Sequence, residues 1–334
     1  MHRSGTSAVT RLLEVMGVSL GENLMPPAHG NNEKGFFEDI DVNALNIEIQ
    51  NFLGTDWHSL SMLSQNDTEV LVESNFLARA RDLIHIKLSP LPSFGLKDPR
   101  ITKLLPFWKK VFERCDCQVS YVIVIRHPLS VAASLKKRDG LPIEKSLLLW
   151  LEHTLLALSE TSSHGRIIVD YDRLISSPES EILRISKNFG LKPSADQVEI
   201  YISEFLDKNL RHSRIEPDEL LGDGDFESLI NKTYHLALRA ASDEIDSTDE
   251  IFSIELEKLF SSYIKYSYFF NFMDAQNSDI TRLSAVVTEH QTEIARLTTQ
   301  NKALARKMDE YQAQPHGTRH LPCEPSAGAS EPEA

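Results

Sequence analysis

The sequence predicts an α/β protein: a parallel sheet covered by helices on both faces, with an α-helical addition and a C-terminal coiled-coil helix. Three observations predict it. Short apolar, β-branched runs such as Val122-Ile123-Val124-Ile125 alternate with longer segments of helical periodicity, and strands separated by helices pair in parallel because each crossover needs a helix to return the chain. The 334 residues, 41% of them hydrophobic, suffice for one large domain with further helices. Beyond residue 190 helical periodicity continues with no strand between the segments.

Taken in order, a helix over 7–17 is expected because Val9, Leu12, Leu13 and Met16 recur at helical spacing. A Pro-, Gly- and Asn-rich loop covers 21–35, followed by helices over 40–53 and 70–86. A short strand over 93–96 ends in the turn Lys97-Asp98-Pro99-Arg100, and Ile101, Leu104, Leu105 and Trp108 then mark a helix over 101–114. A strand over 119–125 leads into a helix over 128–138 with Pro128 at its first position, where a missing N–H costs nothing. A helix over 142–162, a strand over 166–170 and a helix over 178–189 complete the alternating part. Helices over 194–207, 225–244 and 250–270 form the addition. The organisation expected is a domain over 1–215, a helical extension over 216–273, a coiled coil over 274–312 and a disordered tail over 313–334, the last rich in Pro, Glu, Ala and Gly.

The coil rests on a 3,4 repeat. Ile280, Val287, Ile294, Asn301 and Met308 fall at a, and Leu283, His290, Leu297, Leu304 and Tyr311 at d. β-Branched residues at a with Leu at d favour a parallel two-stranded coil, and Asn301 would set its register. A homodimer is the expected partner arrangement; a single amphipathic helix folded back on the domain is the alternative.

Composition narrows the function. A formal net charge of −14 argues against a nucleic-acid partner. Cys115, Cys117 and Cys323 form no disulfide framework. No run of about 18 apolar residues occurs, so no membrane span is expected. An acidic protein that binds an anion must gather its cations locally, and Arg3, Lys97, Arg100, Arg126, Lys136, Lys137, Arg138, Arg211 and Arg214 are available for that.

Two stretches carry the chemistry. His2-Arg3-Ser4-Gly5-Thr6-Ser7 is a small-residue turn with a cation and three hydroxyls running straight into a helix, so amide N–H groups at the helix start can face an anion. Arg126-His127-Pro128, with Ser134 eight residues after Arg126, ends an apolar strand in a guanidinium where open α/β sheets present ligand contacts. Each alone has a plainer reading, a helix-capping turn for the first and a surface salt bridge for the second.

In this order, RSGTS followed by RHPLSVAAS resembles the sulfotransferase family. The resemblance covers about residues 1–215 and implies a P-loop-like fold with 3′-phosphoadenosine 5′-phosphosulfate (PAPS) as co-substrate. By it, Arg3, Ser4, Gly5, Thr6 and Ser7 form the loop on the 5′-phosphosulfate, and Arg126 and Ser134 hold the 3′-phosphate. The Arg211-His212-Ser213-Arg214 segment loosely resembles a basic stretch that closes over the nucleotide, which gives Arg211 a cofactor contact; a solvated basic turn is the alternative. In that family a buried strand precedes the loop, whereas here only Met1 precedes His2; the expectation is that the coding sequence begins upstream of Met1, the alternative being that the strand has been lost. Lacking the signal anchor of eukaryotic Golgi members, the protein is expected in the cytoplasm of a bacterium.

Sulfuryl transfer to a hydroxyl is assisted by a general base. Glu22, His29, Glu33 and Glu38 all lie in or next to the loop after the first helix. Lys34-Gly35-Phe36-Phe37-Glu38 resembles a Gly-aromatic-aromatic-Glu pattern of the family, and flanking aromatics would raise the Glu38 pKa. Glu38 is therefore the expected base, with His29 second because other branches of the family use a His. The plainer reading is that Glu38 and Asp39 cap the helix over 40–53. The Lys97-Asp98-Pro99-Arg100 turn is similar to one in carbohydrate-directed bacterial sulfotransferases, implying that Lys97 steadies the leaving oxygen; the alternative has Asp98 capping the next helix and pairing with Arg100. Trp57 is a candidate for lining the acceptor or adenine pocket, with a core position as the alternative. The acceptor implied is a hydroxyl compound, a sugar or glycan. No metal is required, because Arg, Lys and backbone donors match the charge.

Two other functions remain open on the sequence. A P-loop kinase or NTPase would need G-x-x-x-x-G-K-[ST], which is absent; Val169-Asp170 is the nearest candidate for a magnesium-binding strand end, the alternative being a strand end that turns into Tyr171-Asp172-Arg173-Leu174, a segment that resembles the Tyr-x-x-Leu stretch of sulfotransferases. A non-catalytic coiled-coil scaffold with a degenerate domain is the other.

Overall fold

The computed structural model describes residues 1–29, 31–89, 93–206, 222 and 224–313. Residues to 274 and from 275 onward form separate units. The first unit is mostly helical around a small parallel sheet of two described strands, β1 (Ser120–Ile125) and β2 (Gly165–Asp170), paired from Ser120 with Gly165 to Ile125 with Asp170.

Period-2 alternation makes this sheet the partition between two cores. Ile123, Ile125 and Ile168 point into one, with Leu135, Trp150, Leu155, Tyr234 and Phe252. Val122, Val124, Ile167 and Val169 face the other, with Val9, Leu12, Leu174 and Ile185. The crossover from β1 to β2 runs through α6 (Pro128–Asp139) and α7 (Ile143–Glu160). On the first face α6 and α7 are joined by α11 (Asp225–Ala241) and α12 (Glu250–Ile264); on the second lie α1 (Thr6–Val15), α8 (Tyr171–Ser176) and α9 (Pro178–Phe189). The sheet is thus covered on both sides, as strands without a polar face require.

A third cluster lies among α2 (Ile40–Phe52), α3 (Gln65–Glu73), α4 (Asn75–Leu88) and α5 (Ile101–Arg114), around Ile49, Leu71, Phe107 and Trp108. The helix expected over 70–86 is two helices. Ser74 separates them in extended conformation, its hydroxyl donating to Leu71 O at 2.7 Å and accepting from Phe76 N at 3.2 Å, so one side chain closes α3 and opens α4.

The strand expected over 93–96 does not form. Phe94 makes a single parallel bridge to Ser19, and the Pro99 that follows lacks the N–H a longer ladder would need. In place of one helix over 194–207, the described residues to 206 form α10 (Ala195–Ile200) and a π-helical turn, Tyr201–Phe205. After α12, Tyr266 N bonds Tyr263 O, and the long helix α13 (Ser267–Ala313) begins. The tail beyond 313 lies outside the described residues. No described helix is long and apolar enough to cross a membrane.

Candidate functional site

The loop before α1 is built by backbone conformation. Arg3 and Gly5 both take positive φ, 65° and 88°. Gly5 is required twice over: a Cβ there would lie 2.0 Å from Cδ2 of Tyr171, whose ring forms the floor of the loop. Tyr171 follows the last residue of β2 and Arg126 the last of β1, so loop, ring and guanidinium meet at the carboxyl edge of the sheet. The backbone N–H groups of residues 4–7 donate to no acceptor among the described residues, as at any helix start that offers its first amides to an anion.

The two motifs separated in sequence come together. Arg3 Nε donates to Ser134 Oγ at 2.8 Å and Nη1 to Asn31 Oδ1 at 3.2 Å. Arg126 Nη1 donates to the Arg3 carbonyl at 3.3 Å, and its guanidinium lies 5.0 Å from the Tyr171 ring centroid. The Arg126 carbonyl accepts from Trp150 Nε1 at 3.0 Å, fixing the end of the strand. Arg126 is only 8% exposed. No carboxylate among the described residues pairs with Arg3 or Arg126, whereas Arg138 pairs with Asp139 at 2.7 Å. Burial, then Arg138 and Arg126, lower the Arg3 pKa. Two guanidinium groups held by neutral partners make a cationic centre that no carboxylate among the described residues pairs with, Asp139 acting on Arg3 only without contact. Arg126 Nε and Ser4 Oγ are also buried without a hydrogen-bond partner, which fits a site shaped for an anion's oxygens.

Beside this centre sits a charged network. Lys97 Nζ lies 2.6 Å from Glu38 Oε1, 3.0 Å from Phe36 O and 3.5 Å from Ser7 Oγ. Asn43 Nδ2 donates to Glu38 Oε2 at 3.1 Å, and Arg100 Nη1 stands 3.9 Å from the same oxygen. Burial raises the Glu38 pKa and the neighbouring Asp98 adds to the rise, opposed by Lys97 and Arg100; burial lowers that of Lys97. Both shifts favour the neutral pair, as desolvation does.

The structure separates roles that adjacent carboxylates leave open. Asp39 caps α2, accepting from Asp41 N and Val42 N, which leaves Glu38 to Lys97. Asp98 accepts from Arg100 N at 2.9 Å, Arg100 Nη1 at 3.1 Å and Asn46 Nδ2 at 3.0 Å, a positioning role. Asp170 caps α8 through Asp172 N and Arg173 N. His29 is fully exposed and pairs with Glu33 at 3.0 Å. Trp57 packs its ring 4.5 Å from His2, with Arg138 over its face at 5.6 Å. Arg211 lies outside the described residues.

Sequence reading missed Asn31 and Asn32, which reach back to Arg3 and Ser7 from the loop before α2; the Asn pair in a Gly- and Pro-containing loop was the available signal. Tyr171 as the loop's floor was also missed, although it opens the Tyr-Asp-Arg-Leu segment that follows β2. No protein-family model, no curated protein and no solved structure matches the chain.

Proposed function

We propose that the chain is a PAPS-dependent sulfotransferase, acting in the cytoplasm, that moves a sulfuryl group onto a hydroxyl of a sugar or glycan. The observation that carries this reading is the meeting of Arg3 and Arg126, neither with a carboxylate partner among the described residues, at a loop whose amides donate to no acceptor among those residues. Guanidinium forks and helix-start amides are the donors that phosphate and phosphosulfate oxygens take up. A P-loop-like arrangement is part of the proposal, supported by a loop and helix at the carboxyl edge of parallel strands.

In this reading Arg126 and Ser134 hold the 3′-phosphate. Arg3, Ser4, Gly5, Thr6 and Ser7 hold the 5′-phosphosulfate, and Arg211 is assigned to the nucleotide by resemblance alone. PAPS, when bound, supplies the activated sulfuryl group. Glu38 takes the acceptor's hydroxyl proton. It can do so once Lys97 turns from Glu38 Oε1 toward the anion site, which its 3.5 Å approach to Ser7 Oγ makes a short move. Lys97 then balances charge on the departing oxygen while Glu38, freed of its cation and still buried, becomes more basic. His29 is the second choice as base.

Transfer of ³⁵S from labelled PAPS to a panel of oligosaccharides, with adenosine 3′,5′-bisphosphate formed in equal amount, tests the proposal. Nucleotide binding without transfer to any hydroxyl acceptor would leave an anion-binding domain and remove the enzyme.

A further inference from the structure

We infer that α13 is one strand of a parallel, in-register coiled coil whose other strand is α13 of a second copy of this chain. Ile280, Leu283, Val287, Ile294, Leu297, Leu304 and Met308 lie on one stripe of the helix, each between 44% and 62% exposed. An apolar stripe of that length, open to water along an exposed helix, is surface that a partner helix buries.

The composition of the seam selects the occupant. At the a positions stand Ile280, Val287, Ile294 and Met308, and at d Leu283, Leu297 and Leu304, with His290 the polar d residue; β-branched a with Leu d packs best as two parallel strands. Asn301 occupies an a position in the middle of the apolar C-terminal half of the stripe. Its amide can both donate and accept, so another Asn301 at the same level satisfies it, whereas an apolar partner surface leaves it unpaired. An identical chain in register supplies that Asn.

The flanking positions agree. Preceding each a residue are Asp279, Val286, Glu293, Gln300 and Lys307, and their neighbours across a parallel, in-register pair are Ser284, Gln291, Thr298, Ala305 and Gln312. No like charges meet, so a protein of net charge −14 can pair with itself here without flank repulsion. Asp279, Glu293 and Lys307 each meet a neutral residue across the pair, so self-pairing brings no charges into repulsion, and the Asn301 match favours the second copy over a different protein.

Sedimentation velocity of the full chain at micromolar concentration tests the pairing, with twice the chain mass of 37.8 kDa expected. The double substitution Ile294→Asp/Leu297→Asp is expected to sediment as a monomer with an unchanged near-UV circular dichroism spectrum. Orientation is read with Leu297→Cys in a chain whose Cys115, Cys117 and Cys323 are replaced by Ser. In a parallel pair like positions face each other, and oxidation is expected to give a covalent dimer, which Lys302→Cys on the outer face does not. A wild-type monomer, a dimer that survives the double substitution, or failure of Leu297→Cys to cross-link while the chain remains dimeric would overturn the proposal.

Discussion

Replacing Arg126 with Ala separates a ligand-binding arginine from a structural one, because the two roles predict opposite results. A guanidinium that donates two charge-assisted bonds to a phosphate contributes roughly 3–4 kcal/mol to binding, so the affinity for adenosine 3′,5′-bisphosphate should fall about 10²- to 10³-fold. Stability should barely change. The substitution removes the 3.3 Å bond to the Arg3 carbonyl and the contact with the Tyr171 ring, together roughly 1.5–3 kcal/mol. It also removes a buried, unpartnered Nε and a charge that depresses the Arg3 pKa, returning about the same amount. Calorimetry with the bisphosphate and urea denaturation, run on the same preparations, read both quantities. A stability loss of about 3 kcal/mol with affinity changed less than about fivefold would show that Arg126 is a structural arginine.

Three further outcomes follow from particular contacts. Glu38→Gln should cut sulfuryl transfer by about 10²- to 10⁴-fold and leave nucleotide affinity within about threefold; retained turnover in the ³⁵S assay would pass the role to His29 or another group. Gly5→Ala forces a positive φ on a residue with a Cβ and drives it against Tyr171, costing roughly 2–5 kcal/mol in urea unfolding, and a loss under about 1 kcal/mol would mean the loop rearranges freely. Asp170 is raised from 3.8 to about 6, by burial first and then by Asp172. Its proton is held more tightly in the folded chain, so its contribution to stability is full below pH 3.8 and is lost as pH climbs through 6. Asp170→Asn keeps one of the two cap bonds, since Asp172 N and Arg173 N donate to different carboxylate oxygens, and removes this dependence; apart from that pH-independent loss, the variant should gain on the wild type by up to about 3 kcal/mol across that window, and a gap that stays constant with pH contradicts the assignment.

The two strands were legible because Val122, Val124, Ile167 and Val169 on one face and Ile123, Ile125 and Ile168 on the other are all apolar, the mark of a sheet buried on both sides. The start of α1 and the Pro128 start of α6 were readable for similar local reasons. Phe94 misled because an apolar residue next to Gly95 looks like a strand, but pairing depends on a distant partner, and only Ser19 meets it. Ser74 was invisible within a continuous helical pattern, since the periodicity of the apolar residues does not record the extended backbone at one serine that ends α3 and caps α4.

Long-range polar contacts were the least readable. Lys103 and Glu152 look like surface charges in sequence, yet both are buried and ion-paired to each other, with Lys103 Nζ also 2.6 Å from Ser59 O. Burial raises the Glu152 carboxyl to about 7 against the pull of Lys103. Nothing in the spacing of 103 and 152 announces such a pair. In the candidate site, by contrast, the residue types of the loop and of the strand end were enough to nominate Arg3, Arg126 and Ser134. Their mutual contacts, and the choice of Asp39 over Glu38 as cap, needed the fold.

The central claim is that two arginines from distant motifs form one site for a nucleotide phosphorylated at both ends. Titrating the full chain with adenosine 3′,5′-bisphosphate and, separately, with adenosine 5′-monophosphate tests it most directly, since only the former offers a 3′-phosphate to Arg126 and Ser134. The bisphosphate should bind one per chain and about 10²-fold or more tighter than the monophosphate. Equal affinity for the two nucleotides, or no heat from either, would contradict the account.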